Sequence, residues 1–321
     1  MHPFSFVEDG PFSKALNLPV YEWSPSDSSP EAMVLALHGL TLHGTSYTLI
    51  GSAFAAGGYY FVAPDMRGFG KCARTFPSHM AYSQGGDDKC KVDYKRSYDD
   101  IVRLAQLMKE KYPKLQTIVM GESLGCTLAV RIAGEHPELI DKVILSAPAV
   151  KLNPLMFLSP ASLRNGSYAL IISPRFHMSL RGFITDLVSN NPKISKEMLD
   201  DPLILKEMPL CDLIKTQECV AQTVKYARRI SKATPILIVQ GSKDHCVVPD
   251  AIIKLAKNTR SGDQTLKWLD LTGHLLLETR YLQAGTIAAI NDWIEDHEPQ
   301  HALELKAIEK DVRSLGGEIS Q

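Results

Sequence analysis

Short apolar runs without polar alternation recur along the chain and predict buried strands. Runs of four to six apolar residues are typical of strands that are covered on both faces. Each of the longer runs ends at Gly, Pro or a polar residue, which is where a turn is expected. The predicted strands occupy residues 20–23, 32–37, 59–63, 117–120, 143–145, 235–239 and 266–269.

Segments with helical periodicity lie between these runs. Residues 98–112 place Ile101, Leu104, Ala105 and Met108 on one face, which is the spacing of an amphipathic helix. Further helices are predicted at residues 124–136, 251–257 and 281–295. Alternation of strands and helices predicts an α/β fold, with a mostly parallel central sheet and helices on both faces.

One long interval interrupts this alternation. About 85 residues between Pro148 and Pro235 contain no convincing buried strand, but they include helical fragments such as 212–230. We expect a helical cap over the carboxyl edge of the sheet, where open α/β sheets bind ligands. The predicted core domain therefore comprises residues 1–148 and 235–296, and the cap comprises residues 149–234.

The last 25 residues, 297–321, are predicted to form a helical tail. Their apolar residues recur at helical spacing, so one face of the tail would pack on its own domain or on a second subunit. A homodimer is therefore an open possibility. The residues of this face are Leu303, Leu305, Ile308, Val312 and Leu315.

Composition and charge exclude several classes of protein. The 321 residues include 35 Lys and Arg against 36 Asp and Glu, which gives a formal net charge of −1. This charge would not attract the protein to nucleic acid or to an anionic membrane. The N-terminus lacks the pattern of a signal peptide and no apolar run approaches a membrane span, so we expect a cytoplasmic protein. The six cysteines have no C-x-x-C spacing and predict free thiols, with neither a metal site nor a cofactor expected.

The candidate nucleophile is Ser123, in the sequence Gly121-Glu122-Ser123-Leu124-Gly125. This G-x-S-x-G pattern follows a predicted strand and opens a predicted helix, which is the context that a nucleophilic serine on a tight turn requires. The flanking glycines allow the backbone to crowd there. The Leu124 N–H lies at the start of the helix and can bind a developing oxyanion.

A serine nucleophile needs a histidine base and an acid that orients it. In proteins with this turn, the acid and then the histidine follow the serine in the chain. Asp244 and His274 come just after the strands at 235–239 and 266–269, so both are expected at the same edge as Ser123. Asp250 is an alternative acid, although an N-cap role suits it better. The other histidines considered are His38, His136, His177 and His245.

The second oxyanion donor is expected in the loop after the strand at 32–37. Gly39 lets the backbone turn so that the N–H of Leu40 faces the pocket. His38 precedes the serine in the chain, against the expected order, and is therefore assigned a structural role.

These motifs together resemble the α/β-hydrolase superfamily, and within it the monoglyceride lipase and lysophospholipase group, which is related to serine aminopeptidases. The resemblance covers residues 10–295 and is weakest in the cap. Glu122 and the residues Lys71-Cys72 depart from the group's usual pattern. The matching segments are His38-Gly39 with His43-Gly44 and Tyr47, the D-x-R-G-x-G sequence 65–70, the segment 146–148 that leads from the core into the cap, and Asp201-Pro202-Leu203.

The resemblance implies a serine hydrolase that cleaves carboxylic esters through an acyl-enzyme, with a monoacylglycerol or a lysophospholipid as substrate. Apolar cap residues could form an acyl tunnel or touch a membrane surface transiently. An aminopeptidase or amidase remains an alternative, since Glu122, Asp186, Asp200 or Asp201 could hold a substrate amine. A non-catalytic ligand-binding protein is a second alternative. The apolar cap residues are Leu152, Leu155, Met156, Phe157 and Leu158.

Overall fold

An eight-stranded sheet forms the centre of the computed structural model, which describes residues 2–73, 91–150, 177–247 and 249–297. The strand order is β1-β2-β4-β3-β5-β6-β9-β10. Strands β1 and β2 run antiparallel to their neighbours, and every other pair is parallel. Their bounds are β1 Phe4–Glu8, β2 Val20–Pro25, β3 Ala32–Leu37, β4 Tyr59–Pro64, β5 Gln116–Glu122, β6 Lys142–Ser146, β9 Ile236–Gly241 and β10 Gln264–Leu269.

Helices cover both faces of this sheet. In β3, Met33, Leu35 and Leu37 belong to one hydrophobic cluster, and Ala32, Val34 and Ala36 belong to the other, because successive strand residues point to opposite faces. The first cluster includes residues of the helices at 94–111, 124–135 and 249–258, and the second includes residues of the helices at 48–56 and 284–297. The first helices are α1 Pro11–Leu16, α2 Thr48–Ala56, α3 Tyr94–Lys111 and α4 Leu124–Glu135.

The segment between β6 and β9 contains helices and a small sheet of its own. Its described elements are β7 His177–Ser179, α5 Arg181–Asp186, α6 Pro192–Asp200, β8 Glu207–Pro209, α7 Leu210–Val220 and α8 Thr223–Ala227. Strands β7 and β8 pair in antiparallel fashion around buried Met178 and Met208. The interval thus contains two short strands beside its helices, and the sequence showed no sign of them because three-residue strands are too short to leave an apolar run. The cap residues 152–158 lie outside the described residues.

The remaining helices are α9 Pro249–Asn258 and α10 Ala284–His297. The tail was predicted to begin at residue 297, but α10 continues through His297, and residues 298–321 lie outside the described part of the chain. No helix among the described residues is long and apolar enough to cross a membrane. Five cysteines are described, and all are free thiols, of which Cys72, Cys126 and Cys246 are buried.

The mostly parallel sheet with helices on both faces confirms the predicted fold class. Strand β1 was not predicted from the sequence, because it is an edge strand with four exposed residues and leaves no buried run. Helix α2 was also missed, since it is apolar on nearly every side and therefore lacks amphipathic periodicity. The parallel strands β5, β9 and β10 end at the same edge of the sheet, where Ser123, Asp244 and His274 follow them.

Candidate active site

Ser123 lies on a strained turn between β5 and α4. Its backbone adopts φ 51° and ψ −113°, a conformation that L-residues rarely adopt. Two hydrogen bonds hold the turn: the Ser123 N–H donates to the Ser146 carbonyl at 2.9 Å, and the Ala149 N–H donates to the Ser123 carbonyl at 3.1 Å. The side chain is thereby directed out of the carboxyl edge of the sheet.

The glycines on either side of Ser123 are required by close backbone contacts. A Cβ at position 121 would lie 2.6 Å from the Cys126 nitrogen, and one at position 125 would lie 1.8 Å from the Leu37 carbonyl oxygen. No side chain fits at such distances without displacing backbone. The role predicted for the glycines of the motif therefore has a direct steric basis.

His274 lies in the loop after β10 and contacts Ser123. Its Nε2 lies 2.8 Å from Ser123 Oγ, and its Nδ1 lies 2.8 Å from Asp244 Oδ2. The partners assign the tautomer: Nδ1–H donates to the carboxylate, and Nε2 accepts from the hydroxyl. The His274 N–H also donates to the Val188 carbonyl at 3.0 Å, which attaches the histidine loop to the segment after α5.

Asp244 follows β9 and is fixed by four donors. Its Oδ1 accepts the N–H groups of Cys246 at 2.7 Å and Val247 at 3.0 Å. Its Oδ2 accepts from Gln240 Nε2 at 2.7 Å and from His274. The structure thus brings Ser123, His274 and Asp244 into one hydrogen-bonded chain.

Electrostatics in this chain favour a charged acid beside the histidine. Burial opposes ionisation of Asp244, but the His274 charge and the hydrogen bonds outweigh it, so the pKa of Asp244 lies below its ordinary value. Burial lowers the pKa of His274, but the Asp244 charge, the hydrogen bond to Asp244 and the Glu122 charge raise it above 6.5 overall. An imidazole with these neighbours is a stronger base than a free one.

Leu40 and Leu124 line a small pocket together with Ser123. Leu124 is the first residue of α4, so its N–H has no acceptor within the helix. Among the described residues, no hydrogen-bond acceptor takes the N–H of Leu40 or that of Leu124. Both groups are therefore available to an oxygen bound at Ser123.

The pocket around Ser123 is lined mainly by apolar side chains from the core and from the segment between β6 and β9. The cavity has a volume of about 10 Å³, which is about the space of one water molecule. The lining residues are Leu40, Ser123, Leu124, Ala149, Phe183, Thr216, Val220, Cys246 and His274.

The other histidines and the alternative acid lie elsewhere. His38 is fully buried; its Nε2 accepts the Met66 N–H at 2.9 Å, and burial lowers its pKa to about 3. Asp250 lies inside the first turn of α9, so the prediction that it caps this helix is wrong. Pro249 takes the first helical position, where its fixed φ and missing N–H are favourable. His136 ends α4, while His177 and His245 are exposed.

Asp244, Cys246 and His274 offer potential metal-ligating atoms within 4.8 Å of one another. Both Asp244 oxygens and both His274 nitrogens already have hydrogen-bond partners in the protein. The Cys246 thiol donates to the Leu187 carbonyl at 3.2 Å, and burial raises the pKa of this thiol well above its ordinary value. Since a metal binds the thiolate, this environment suits the hydrogen-bonded chain better than a metal.

Sequence reasoning missed two contacts at the site. Glu122, considered as a possible amine ligand, is buried behind Ser123 and accepts hydrogen bonds from Ser146 and from the backbone at 276–278. Glu278 was not singled out, although its Oε2 accepts the Gly39 N–H at 2.8 Å beside the predicted oxyanion loop. The only sequence signal was an acidic residue within an otherwise apolar stretch, Leu275-Leu276-Leu277-Glu278.

A family model described as serine aminopeptidase, S33, matches residues 28–280. The chain belongs to this family. Mouse monoglyceride lipase is 23% identical over 275 residues, covering 85% of this chain and 84% of the mouse protein. Human monoglyceride lipase is 24% identical over 276 residues, with the same two coverages.

Solved structures of a lipase and an esterase have the same fold as this chain. A soluble variant of monoglyceride lipase from Saccharomyces cerevisiae, bound to a substrate analog, superposes with a TM-score of 0.71 at 18% identity, covering 89% of this chain and 92% of that one. A thermostable carboxyl esterase from Bacillus coagulans gives a TM-score of 0.63 at 18% identity over 98% and 99% of the two chains. The chain therefore has the α/β-hydrolase fold that the resemblance implied.

Proposed function

We propose that this protein is a serine hydrolase that cleaves carboxylic esters, with Ser123 as nucleophile, His274 as base and Asp244 as the orienting acid. The observation that carries the proposal is the hydrogen-bonded chain from Ser123 Oγ through His274 to Asp244, with both links at 2.8 Å. The same hydrogen-bonded arrangement of Ser, His and Asp activates the serine in unrelated hydrolases, because the imidazole can accept the hydroxyl proton as the oxygen attacks.

The reaction runs in two halves. Ser123 Oγ attacks the ester carbonyl carbon while His274 Nε2 takes the hydroxyl proton, and the resulting oxyanion accepts the N–H groups of Leu40 and Leu124. The ester C–O bond then breaks, and the leaving alcohol takes the proton from His274. Water, deprotonated by His274, then attacks the acyl carbon; the bond from this carbon to Ser123 Oγ breaks, Oγ takes the proton back from His274, and the carboxylic acid is released. Each oxyanion donor is expected to contribute about 10²- to 10³-fold in rate.

The proposed substrate is a monoacylglycerol. Two observations support it: the mouse and human relatives are both monoglyceride lipases, and the pocket at Ser123 is lined mainly by apolar side chains. In this proposal Leu40, Phe183 and Val220 would contact the acyl chain. A lysophospholipid is the related ester to compare, since it carries a charged phosphate head group in place of one of the two free glycerol hydroxyls.

Labelling with a fluorophosphonate probe tests the nucleophile. The wild-type protein should gain the mass of one probe adduct, and Ser123→Ala should gain none. Ser13→Ala is a matched control, because Ser13 is also buried and its hydroxyl bonds to the nearby backbone of Val20. Labelling that persists in Ser123→Ala, or that is absent from the wild type, contradicts the proposal; the latter result favours a non-catalytic binding protein.

The family name raises a second candidate, an aminopeptidase. The acids considered as ligands for a substrate amine do not line the Ser123 pocket: Asp186 and Asp200 are exposed, and Asp201 pairs with His43. We therefore expect hydrolysis of long-chain monoacylglycerols to exceed that of aminoacyl anilides by orders of magnitude in kcat/KM. The reverse order of rates would establish the aminopeptidase.

We further propose that the cap touches lipid surfaces transiently and that the enzyme acts in the cytoplasm, with a homodimer through the tail as an open alternative. Five free cysteines are compatible with a reducing compartment. Sedimentation with anionic and neutral vesicles tests the membrane contact, light scattering tests the dimer, and cell fractionation tests the location. If the protein sediments with neither type of vesicle, the membrane contact is refuted.

A further inference from the structure

Two carboxyl groups are enclosed together behind the nucleophile turn. Glu122 precedes Ser123 and is 0% exposed, and Glu278 follows His274 by four residues and is 3% exposed. In the described part of the chain, neither residue forms an ion pair with lysine or arginine. Two buried carboxylates without a cation cannot both stay ionised at low energetic cost, so a shared proton is expected.

Burial raises the pKa of Glu122 above its ordinary value, but the donors around this carboxyl group oppose the shift and make it the better site for the negative charge. Its Oε1 accepts from the Ser146 hydroxyl at 2.7 Å and from the Leu276 N–H at 2.8 Å. Its Oε2 accepts the Glu278 N–H at 2.9 Å, and the Leu277 N–H lies between the two oxygens. Donors to both oxygens stabilise the charged form of a carboxyl group.

Glu278 has fewer donors and is the better site for the proton. Its Oε2 accepts the Gly39 N–H at 2.8 Å, but its Oε1 is buried and has no hydrogen-bond donor. Burial raises the pKa of Glu278 well above its ordinary value, and the Glu122 charge and a side-chain hydrogen bond with Glu122 add to this shift. A protonated Glu278 can donate to the Glu122 carboxylate, which satisfies both groups.

We propose that Glu122 and Glu278 form a proton-sharing acid pair that positions the Leu40 oxyanion donor against Ser123. This inference rests on the proposed function. Glu122 directly precedes the nucleophile in the chain. Glu278 accepts the N–H of Gly39, and the next residue is Leu40. Gly39 lies close to both Glu278 and Ser123, since a Cβ at position 39 would lie 3.0 Å from Glu278 Oε2 and 3.5 Å from Ser123 Cβ.

The pair also joins the two loops that carry the reacting groups. The backbone N–H groups of 276–278 that bind Glu122 belong to the segment directly after His274.

The titratable groups that face the pair are His274, Tyr47 and Cys126. Burial raises the pKa of Tyr47 and of Cys126 well above their ordinary values, so both stay neutral.

Infrared difference spectroscopy tests the shared proton in the resting enzyme, independently of activity. The wild type minus Glu278→Gln difference should show, at neutral pH, the C=O stretch of a protonated carboxyl group that shifts in D₂O. Glu135→Gln is the control, because Glu135 pairs with Arg131 and Arg229 and its pKa lies below its ordinary value despite partial burial, so its difference spectrum should lack this band. Absence of the protonated band from the Glu278 difference overturns the proton-sharing pair, whatever the probe labelling of Ser123 shows.

Kinetics test the positioning role. Glutamine can accept from Gly39 and donate to Glu122, whereas leucine can do neither, so kcat for Glu278→Gln should exceed that for Glu278→Leu by on the order of 10- to 100-fold with little change in KM. Wild-type kcat should also decline at alkaline pH as the pair loses its proton, and Glu278→Gln should lack this decline. Equal kcat for the two variants, or an alkaline decline that the glutamine variant keeps, overturns the positioning role even if leucine impairs folding.

Discussion

His43 and Asp201 join the oxyanion loop to the segment between β6 and β9. His43 Nε2 lies 3.0 Å from Asp201 Oδ2, across 158 residues of sequence. A backbone bond runs beside this pair, from the Leu205 N–H to the Thr41 carbonyl at 3.2 Å. Because Thr41 directly follows Leu40, these contacts restrict the loop that carries the predicted oxyanion donor.

Asp201→Ala should therefore lower kcat/KM about tenfold and reduce the free energy of unfolding by about 1.5–3 kcal/mol, the usual loss for a hydrogen bond to a charged group. Asp200→Ala is the matched control, because Asp200 is exposed and pairs with Lys196 on the same helix. Its effect on unfolding should stay within about 0.5 kcal/mol. Chemical denaturation and steady-state kinetics on both variants measure these values; equal effects would show that the contact with His43 has no special role.

The pH dependence of kcat/KM should follow His274. The base must be neutral to accept the Ser123 proton, so activity rises with pH as the imidazolium loses its proton. Because Asp244 raises the pKa of His274, the midpoint of this rise should lie above the ordinary histidine value of about 6.5. A pH–rate profile with a soluble short-chain ester measures it. A midpoint well below that value would contradict the ionised Asp244–His274 pair.

Asp244→Asn should lower kcat by on the order of 10⁴, because the amide removes the charge and disturbs the tautomer of His274. The remaining activity should rise at lower pH than in the wild type, since the raising effect of the Asp244 charge on the His274 pKa is lost. Asp250→Asn, in the first turn of α9, serves as the control and should keep both kcat and the wild-type midpoint. A greater loss in Asp250→Asn would reverse the assignment of the acid.

Gly125→Ala should destabilise the fold by about 3 kcal/mol or abolish soluble expression, because its Cβ would lie 1.8 Å from the Leu37 carbonyl oxygen. Gly182→Ala is the matched control within α5, where an added Cβ meets no atom within 4 Å. That variant should be stabilised by about 0.5–1 kcal/mol, since alanine loses less entropy in a helix. Thermal unfolding of both variants measures the difference, and a stable Gly125→Ala protein would contradict the steric account of the turn.

Local signals in the sequence were sufficient for most of the fold. Buried strands leave continuous apolar runs and exposed helix faces leave polar stripes, so β2 to β6, β9, α3, α4, α9 and α10 were predicted within a few residues of their observed bounds. Strand β10 was also located, but the prediction that it is buried is wrong, because it is an edge strand with three exposed residues. Elements that lack such a signal were missed. Strand β1 is exposed, α2 is apolar on nearly every side, and β7 and β8 have three residues each.

The sequence by itself determined which residues stand at the carboxyl edge, because the G-x-S-x-G turn and the two later strand ends are local features of the chain. Only the tertiary structure decided what stands behind them. Glu122 meets the backbone at Glu278 across 156 residues, and His43 meets Asp201 across 158. Contacts over such separations depend on how loops from different strands approach one another, and no local pattern of apolar and polar residues encodes that approach.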